Sequence, residues 1–243
     1  MPSQDTLLSA QCLRKQYGAL VVLDGVDFEV RRGDAIGIVG PNGAGKTTLL
    51  SVLSGSQGAS AGAICIRGAD VSALDAARRC RMGIARTHQV PQPFGGMTVF
   101  ENVLTAATHG GGFKRAEAYD RCIDALALCG MTKVANRRAE TLGLLDRKRL
   151  ELTRALATNP VVLLLDEIGG GLTDGEATEL VQTIRVLHTR DIAIVWIEHI
   201  VHILLQVAQR LVCMDAGRVI AEGDPKEVLA NATVVDAYLG GGR

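Results

Sequence analysis

An α/β fold with a mostly parallel core sheet is what this 243-residue sequence predicts, and three stretches predict it. The first is Gly40-Pro41-Asn42-Gly43-Ala44-Gly45-Lys46-Thr47-Thr48, set between the apolar run Ala35-Ile36-Gly37-Ile38-Val39 and the helix-like Leu49-Leu50-Ser51-Val52-Leu53. The second is the alternation of strand and helix patterns after Pro160, which implies parallel strands covered by helices. The third is a change of character between about 89 and 159, where helical spacing takes over and reads as an inserted lobe.

Taken in order, residues 7–17 and 26–30 alternate enough to be strands and 63–67 is another, so β-rich segments flank the glycine-rich loop. Thr98-Val99-Phe100-Glu101 is a capping-box start to a helix, Gly110-Gly111-Gly112 breaks it, and 115–129 has helical apolar spacing. Beyond Pro160 come a strand over 161–165, a helix opened by Thr173-Asp174-Gly175-Glu176, a strand over 192–196, a helix from His199 and a strand over 211–214. Asp215-Ala216-Gly217-Arg218 joins two short strands as a hairpin, and Asp224-Pro225-Lys226-Glu227 caps a further helix with proline in its first turn. The division expected is one domain over 1–243, with 1–88 and 160–243 as core plus β-rich part and about 89–159 as the helical lobe.

With 47% hydrophobic residues the chain has ample material for a core. Lys+Arg and Asp+Glu stand at 26 each and aromatic residues at 3%, so neither net charge nor stacking platforms favour nucleic acid. The longest apolar runs, 161–165 and 192–197, are far short of the roughly 20 residues that cross a bilayer. Met1-Pro2-Ser3-Gln4-Asp5 lacks the basic and apolar regions of a secretion signal, so a cytoplasmic location is expected. The six cysteines contain no C-x-x-C pair, which suits reduced thiols better than disulfides or zinc.

The loop at 40–48 matches G-x-x-x-x-G-K-[ST] in a strand-loop-helix context, so it is a phosphate-binding loop for a nucleoside triphosphate. Its glycines let backbone N–H groups turn inward around phosphate oxygens at the positive end of the following helix. Lys46 is placed to reach the β- and γ-phosphates and Thr47 to offer its hydroxyl to Mg²⁺. About 120 residues later Val161-Val162-Leu163-Leu164-Leu165 ends in Asp166-Glu167. Alone, such a strand end could simply meet solvent; beside a phosphate loop, Asp166 reads as the Mg²⁺ carboxylate and Glu167 as the group that polarises the attacking water. A third strand runs into Glu198-His199, which puts His199 at another strand edge, where it could bond the γ-phosphate or orient water. His199-x-x-His202 has metal-like spacing, but no further ligand cluster supports zinc.

Together these segments resemble the ATP-binding subunits of ATP-binding cassette (ABC) transporters over nearly the whole chain. Residues 40–48 look like the Walker A segment, 161–167 like Walker B, and His199 like the switch histidine. The resemblance implies a P-loop NTPase of ABC type, with a mostly parallel core sheet, an antiparallel β subdomain and an inserted helical lobe. It also implies that Tyr17, in Lys15-Gln16-Tyr17-Gly18, stacks on adenine, and that Gln89, in Ala85-Arg86-Thr87-His88-Gln89, touches Mg²⁺ and relays nucleotide state to membrane subunits. The segment 147–160, Ala221-Glu222-Gly223-Asp224-Pro225 and the tail Val235-Asp236-Ala237-Tyr238-Leu239-Gly240 look like those of importers of branched-chain amino acids, urea and related amides.

The main departure of the sequence from that family is at the signature. Where the signature L-S-G-G-Q closes over a partner's γ-phosphate, this chain has Leu142-Gly143-Leu144-Leu145-Asp146, before a helix beginning near Asp146. Lesser departures are Ile168 after Glu167, Thr173 at the D-loop position and His88 beside Gln89. The resemblance implies an ATPase using ATP and Mg²⁺, peripheral on the inner face of the cell membrane, dimerised with a second ATPase subunit, identical or not. It further implies permease subunits as partners and, indirectly, a solute-binding protein. An export ATPase, a weakly hydrolysing regulatory subunit and a non-transport cassette acting in DNA repair or translation are the alternatives.

Overall fold

The structure, a computed structural model, describes residues 5–239. The first four residues of the N-terminal reading and Gly240 of the tail motif lie outside the described residues. Chain order begins with β1 (Thr6–Tyr17), β2 (Leu20–Arg31), β3 (Ala35–Val39), α1 (Lys46–Leu53), β4 (Ala61–Ile66), β5 (Ala69–Asp70), α2 (Ala76–Arg81) and β6 (Ile84–Arg86). Among the described residues β2-β1-β4-β5 form one antiparallel sheet. β2 is longer than the 26–30 the sequence predicts. Gly25 takes φ +73 within the strand, whose pairing to β1 shifts register and continues to Leu20.

The next stretch is helical: α3 (Val99–Thr105), a π turn over Ala106–Gly110, α4 (Arg115–Leu128), two 3₁₀ turns and α5 (Leu144–Ala157). Thr98 and Glu101 cap α3 reciprocally, as their spacing predicts. The remainder alternates: β7 (Val162–Asp166), α6 (Asp174–His188), β8 (Ala193–Ile197), α7 (Val201–Leu204), β9 (Arg210–Asp215), β10 (Arg218–Gly223), α8 (Pro225–Ala230) and α9 (Ala232–Leu239). Thr173 and Glu176 form a second capping box, and Asp224 caps α8 with Pro225 at its start. The helix expected from His199 is a single turn beginning at Val201, because Ile200 is non-helical and supplies no cap. The helix expected near Asp146 begins two residues earlier, at Leu144. α2 and α9 were not predicted at all.

The larger sheet has the order β10-β9-β3-β8-β7-β6, parallel except for β10. Alternation in its strands sorts side chains to two cores. Val162, Leu164, Val195 and Ile197 pack with α1 and the antiparallel sheet, while Leu163, Leu165, Ile194 and Trp196 pack toward α5, α6 and the helical lobe. Gly37 of β3 has no Cβ for a reason: one built there lies 2.8 Å from Leu204 Cδ2, so α7 approaches the backbone closely. Register then fixes the site. Ile38 pairs with Ile197, Ile197 with Asp166, and Arg86 with Leu164, so residues 40, 87, 167 and 198 leave the sheet along one edge.

Candidate active site

At the end of β3 the chain turns through Gly40 at φ +141, where a Cβ would lie 2.0 Å from Met214 O. No other residue fits there. Gly43 and Gly45 also take positive φ, and Gly45 is the N-cap of α1 without a side-chain cap, so the first N–H groups of that helix remain for a ligand. Lys46 is nearly buried and folds its ammonium back over the loop, donating to Gly40 O at 2.7 Å and Pro41 O at 2.9 Å. Burial pushes its pKa down, opposed by the carboxylates of Glu167 and Asp166. A pocket of about 190 Å³ opens there, lined by Val22, residues 42–48 and Glu167. A larger groove of about 700 Å³ along β1 and β2 holds none of the loop residues.

Asp166, 1% exposed, ends β7 under this loop. Thr47 Oγ1 donates to its Oδ1 at 3.2 Å, and Arg86 Nη2 donates to its Oδ2 at 2.7 Å. Arg86 also donates to Ser51 Oγ at 2.8 Å, tying β6 to α1 across the carboxylate. Sequence reading missed Arg86, although a basic residue closing a short apolar strand just before Gln89 was the signal. The oxygen donors of Thr47, Asp166 and Gln89 suit Mg²⁺, which takes one or two protein carboxylates and leaves its other positions to water and phosphate. Among the described residues no cluster of three or more His, Cys, Asp or Glu is placed to hold a metal unaided.

Glu167 takes the uncommon φ of +47, with its N–H donating to Ile197 O at 2.9 Å. That backbone aims its carboxylate between two other candidate residues: His199 Nε2 lies 2.7 Å from Oε1, and Gln89 Nε2 donates to Oε2 at 2.5 Å. The structure therefore gathers Gln89, Glu167 and His199 beside Lys46, Thr47 and Asp166. Tyr17 stands apart from that group. Its phenol donates to Gln57, and Lys15 Nζ sits 4.8 Å from its ring centroid.

Three further residues went unread in the sequence. Tyr238, from α9, accepts the Gly40 N–H at 2.8 Å and so fastens the C-terminal helix to the start of the loop. Glu198 and Lys148, each 3% exposed, lie behind Glu167. At the variant signature, Gly143 is the N-cap of α5 and Leu144 is 45% exposed. Leu144 Cδ2 lies 3.3 Å from where a Gly171 Cβ would be, so the leucine covers the turn after Glu167. Asp146 lies 3.8 Å from Arg149, which offsets an anion at the helix start.

The family described as ABC transporter matches residues 23–169, and the one described as branched-chain amino acid ATP-binding cassette transporter matches 218–243. The chain is 34% identical to the high-affinity branched-chain amino acid transport ATP-binding protein LivG of Salmonella typhimurium, over 96% of this chain and 98% of that protein. It is 31% identical to BraF, a protein of the same description from Pseudomonas aeruginosa, with the same shares covered. A nucleotide-free ATP-binding cassette from an ABC transporter superposes with a TM-score of 0.88 at 31% identity, over 96% of this chain and 98% of that one. An ADP conformation of such a cassette gives 0.87 at 31%, over 97% and 99%.

Proposed function

This chain belongs to the ABC transporter ATP-binding family, and we propose that it drives an importer of branched-chain amino acids or related amides or urea by closing on ATP with a second ATPase subunit. As an ATPase of this family it binds adenine nucleotide at residues 40–48. The convergence of Gln89 and His199 on the two oxygens of Glu167, beside the phosphate loop, carries the mechanistic reading.

In that reading the loop amides and Lys46 hold the phosphates, and Lys46 exchanges its two carbonyl acceptors for phosphate oxygens. Thr47, Asp166 and Gln89 would hold Mg²⁺, which supplies charge neutralisation at the β- and γ-phosphates. Gln89 then leaves Glu167 Oε2, freeing the carboxylate to accept a proton from the attacking water. His199 holds Oε1 and faces the γ-phosphate, and Tyr17 releases Lys15 to stack on adenine. The domain comprises 1–88 and 160–243 as core with an antiparallel subdomain, and about 89–159 as the helical lobe.

The permease is the partner proposed for the cleft between core and lobe, about 440 Å³, lined by Gln92 and Phe94, a few residues beyond Gln89, and by Glu151 and Arg154 of α5. Among the described residues no helix is long and apolar enough to cross a membrane, so the proposed place is peripheral, on the cytoplasmic face through the permease. Resemblance of residues 218–243 to the branched-chain amino acid cassettes supports the solute class. The test is reconstitution of the chain with the permeases and any second cassette encoded beside it, supplied with the solute-binding protein. Leucine, isoleucine or valine should accumulate in vesicles only with ATP on the chain's side. ATP hydrolysis without uptake of any amino acid, amide or urea overturns the importer reading and leaves the ATPase standing.

A further inference from the structure

Behind Glu167 lie two buried charges that the hydrolytic reading does not use. Lys148 projects from α5, and its Nζ lies 3.5 Å from Glu167 O, the carbonyl that also accepts Gly170 N–H at 3.2 Å. Glu198 follows β8 and reaches the same turn from the other side: Gly169 N–H donates to its Oε1 at 2.6 Å and His199 N–H to its Oε2 at 3.2 Å. The fit is close, because a Cβ built on Gly169 would stand 2.6 Å from Glu198 Oε1. Burial pushes the Lys148 pKa down and the Glu198 pKa up, and each charge opposes the other's shift through the turn between them.

A purely structural pair would need no such placement. These two hold the carbonyl of the residue at φ +47 and the turn that follows it, a geometry that only surrounding contacts can maintain. Taking Glu167 as the group that activates water, we propose that Lys148 and Glu198 are a positioning pair for it. Lys148 holds the Glu167 carbonyl from α5, Glu198 holds Gly169 and His199 from β8, and together they set where the Glu167 carboxylate stands. Since α5 begins at the signature segment, Lys148 also makes the position of that helix felt at this chain's own Glu167.

The test measures steady-state ATP hydrolysis, fluorescent-nucleotide binding and thermal melting on the full chain for Lys148→Met, Lys148→Arg, Glu198→Gln and the Lys148→Met/Glu198→Gln double variant. The three substitutions are repeated with Glu167→Gln. Lys148→Met and Glu198→Gln should each lower kcat about tenfold or more, with KM and nucleotide affinity within about twofold, since small misplacement of a reacting group costs rate and not binding. Lys148→Arg should recover most of the rate, and the double variant should lose no more than the worse single one. With Glu167→Gln, none should lower the residual rate further. Losses that multiply in the double variant, that persist in full beside Glu167→Gln, or that are absent from both single variants overturn the pair. Should Lys148→Met unfold, Lys148→Gln takes its place in the cycle. Full turnover in Glu167→Gln alone would instead remove the water-activating role of Glu167.

Discussion

At the residue scale, Glu167 concentrates the chemistry: its backbone is held in a sparsely populated conformation, and its two oxygens face Gln89 and His199. Glu167→Gln keeps the shape and removes the base, so ATP affinity should stay within about twofold while kcat falls about 100-fold or more, the range of general-base catalysis. Nucleotide titration and a phosphate-release assay read the two separately. Gly40→Ala acts by another route. A methyl group 2.0 Å from Met214 O cannot be accommodated without moving the loop away from β9, so nucleotide binding itself should be lost, as the same titration would report.

At the scale of elements, the caps and the Arg86 tie can be weighed against one another. Thr173→Ala removes one capping interaction of α6, and urea unfolding should show a loss of about 1 kcal/mol. Arg86→Ala takes away the ion pair of the buried Asp166 carboxylate and leaves it the Thr47 hydroxyl and the Lys46 charge. Removing one partner of a buried ion pair is costly, and the expected loss is about 3–5 kcal/mol. Asp166→Asn in the Arg86→Ala chain should return part of it, because the charge that needed pairing is gone. Additive losses from the two changes would show that the pair is not coupled.

At the scale of the whole molecule, the single sheet edge is what makes a site from distant segments, and the signature variant bears on how two such molecules work together. Leu144 and Leu145 open α5 where the resemblance read from the sequence implies glycines, and Leu144 already covers this chain's own turn at Gly171. In a mixed dimer whose second subunit carries L-S-G-G-Q, ATP on this chain's loop is closed by the intact signature. Glu167→Gln should then cost more total ATPase than the corresponding change in the second subunit. Equal losses would sink that expectation.

Much of the site was legible because its chemistry is local. Residues 40–48, Asp166-Glu167 and the capping boxes at Thr98 and Thr173 each declare themselves within a few positions, through glycine conformations, apolar runs ending in charge, and fixed offsets between cap and carboxylate. Gln89 and Tyr17 came only from resemblance. Arg86, Lys148, Glu198 and Tyr238 stood within motifs but received no role of their own, since a lone charge or phenol in sequence looks the same whether it faces water or a buried partner. The helix starts at Leu144 and Val201 were displaced for a related reason: where no side-chain cap marks the first turn, packing decides it.

The sequence by itself determined the alternating α/β order, the phosphate loop and the carboxylates that follow it, because strand period, helix spacing and loop chemistry are properties of neighbouring residues. Only the tertiary structure decided that Gln89 and His199 meet on Glu167, that Arg86 meets Asp166, and that Lys148 and Glu198 lie behind the Glu167 turn. Those meetings depend on strand order and register, which bring residues 80 and more positions apart to one edge, and no local pattern encodes that distance.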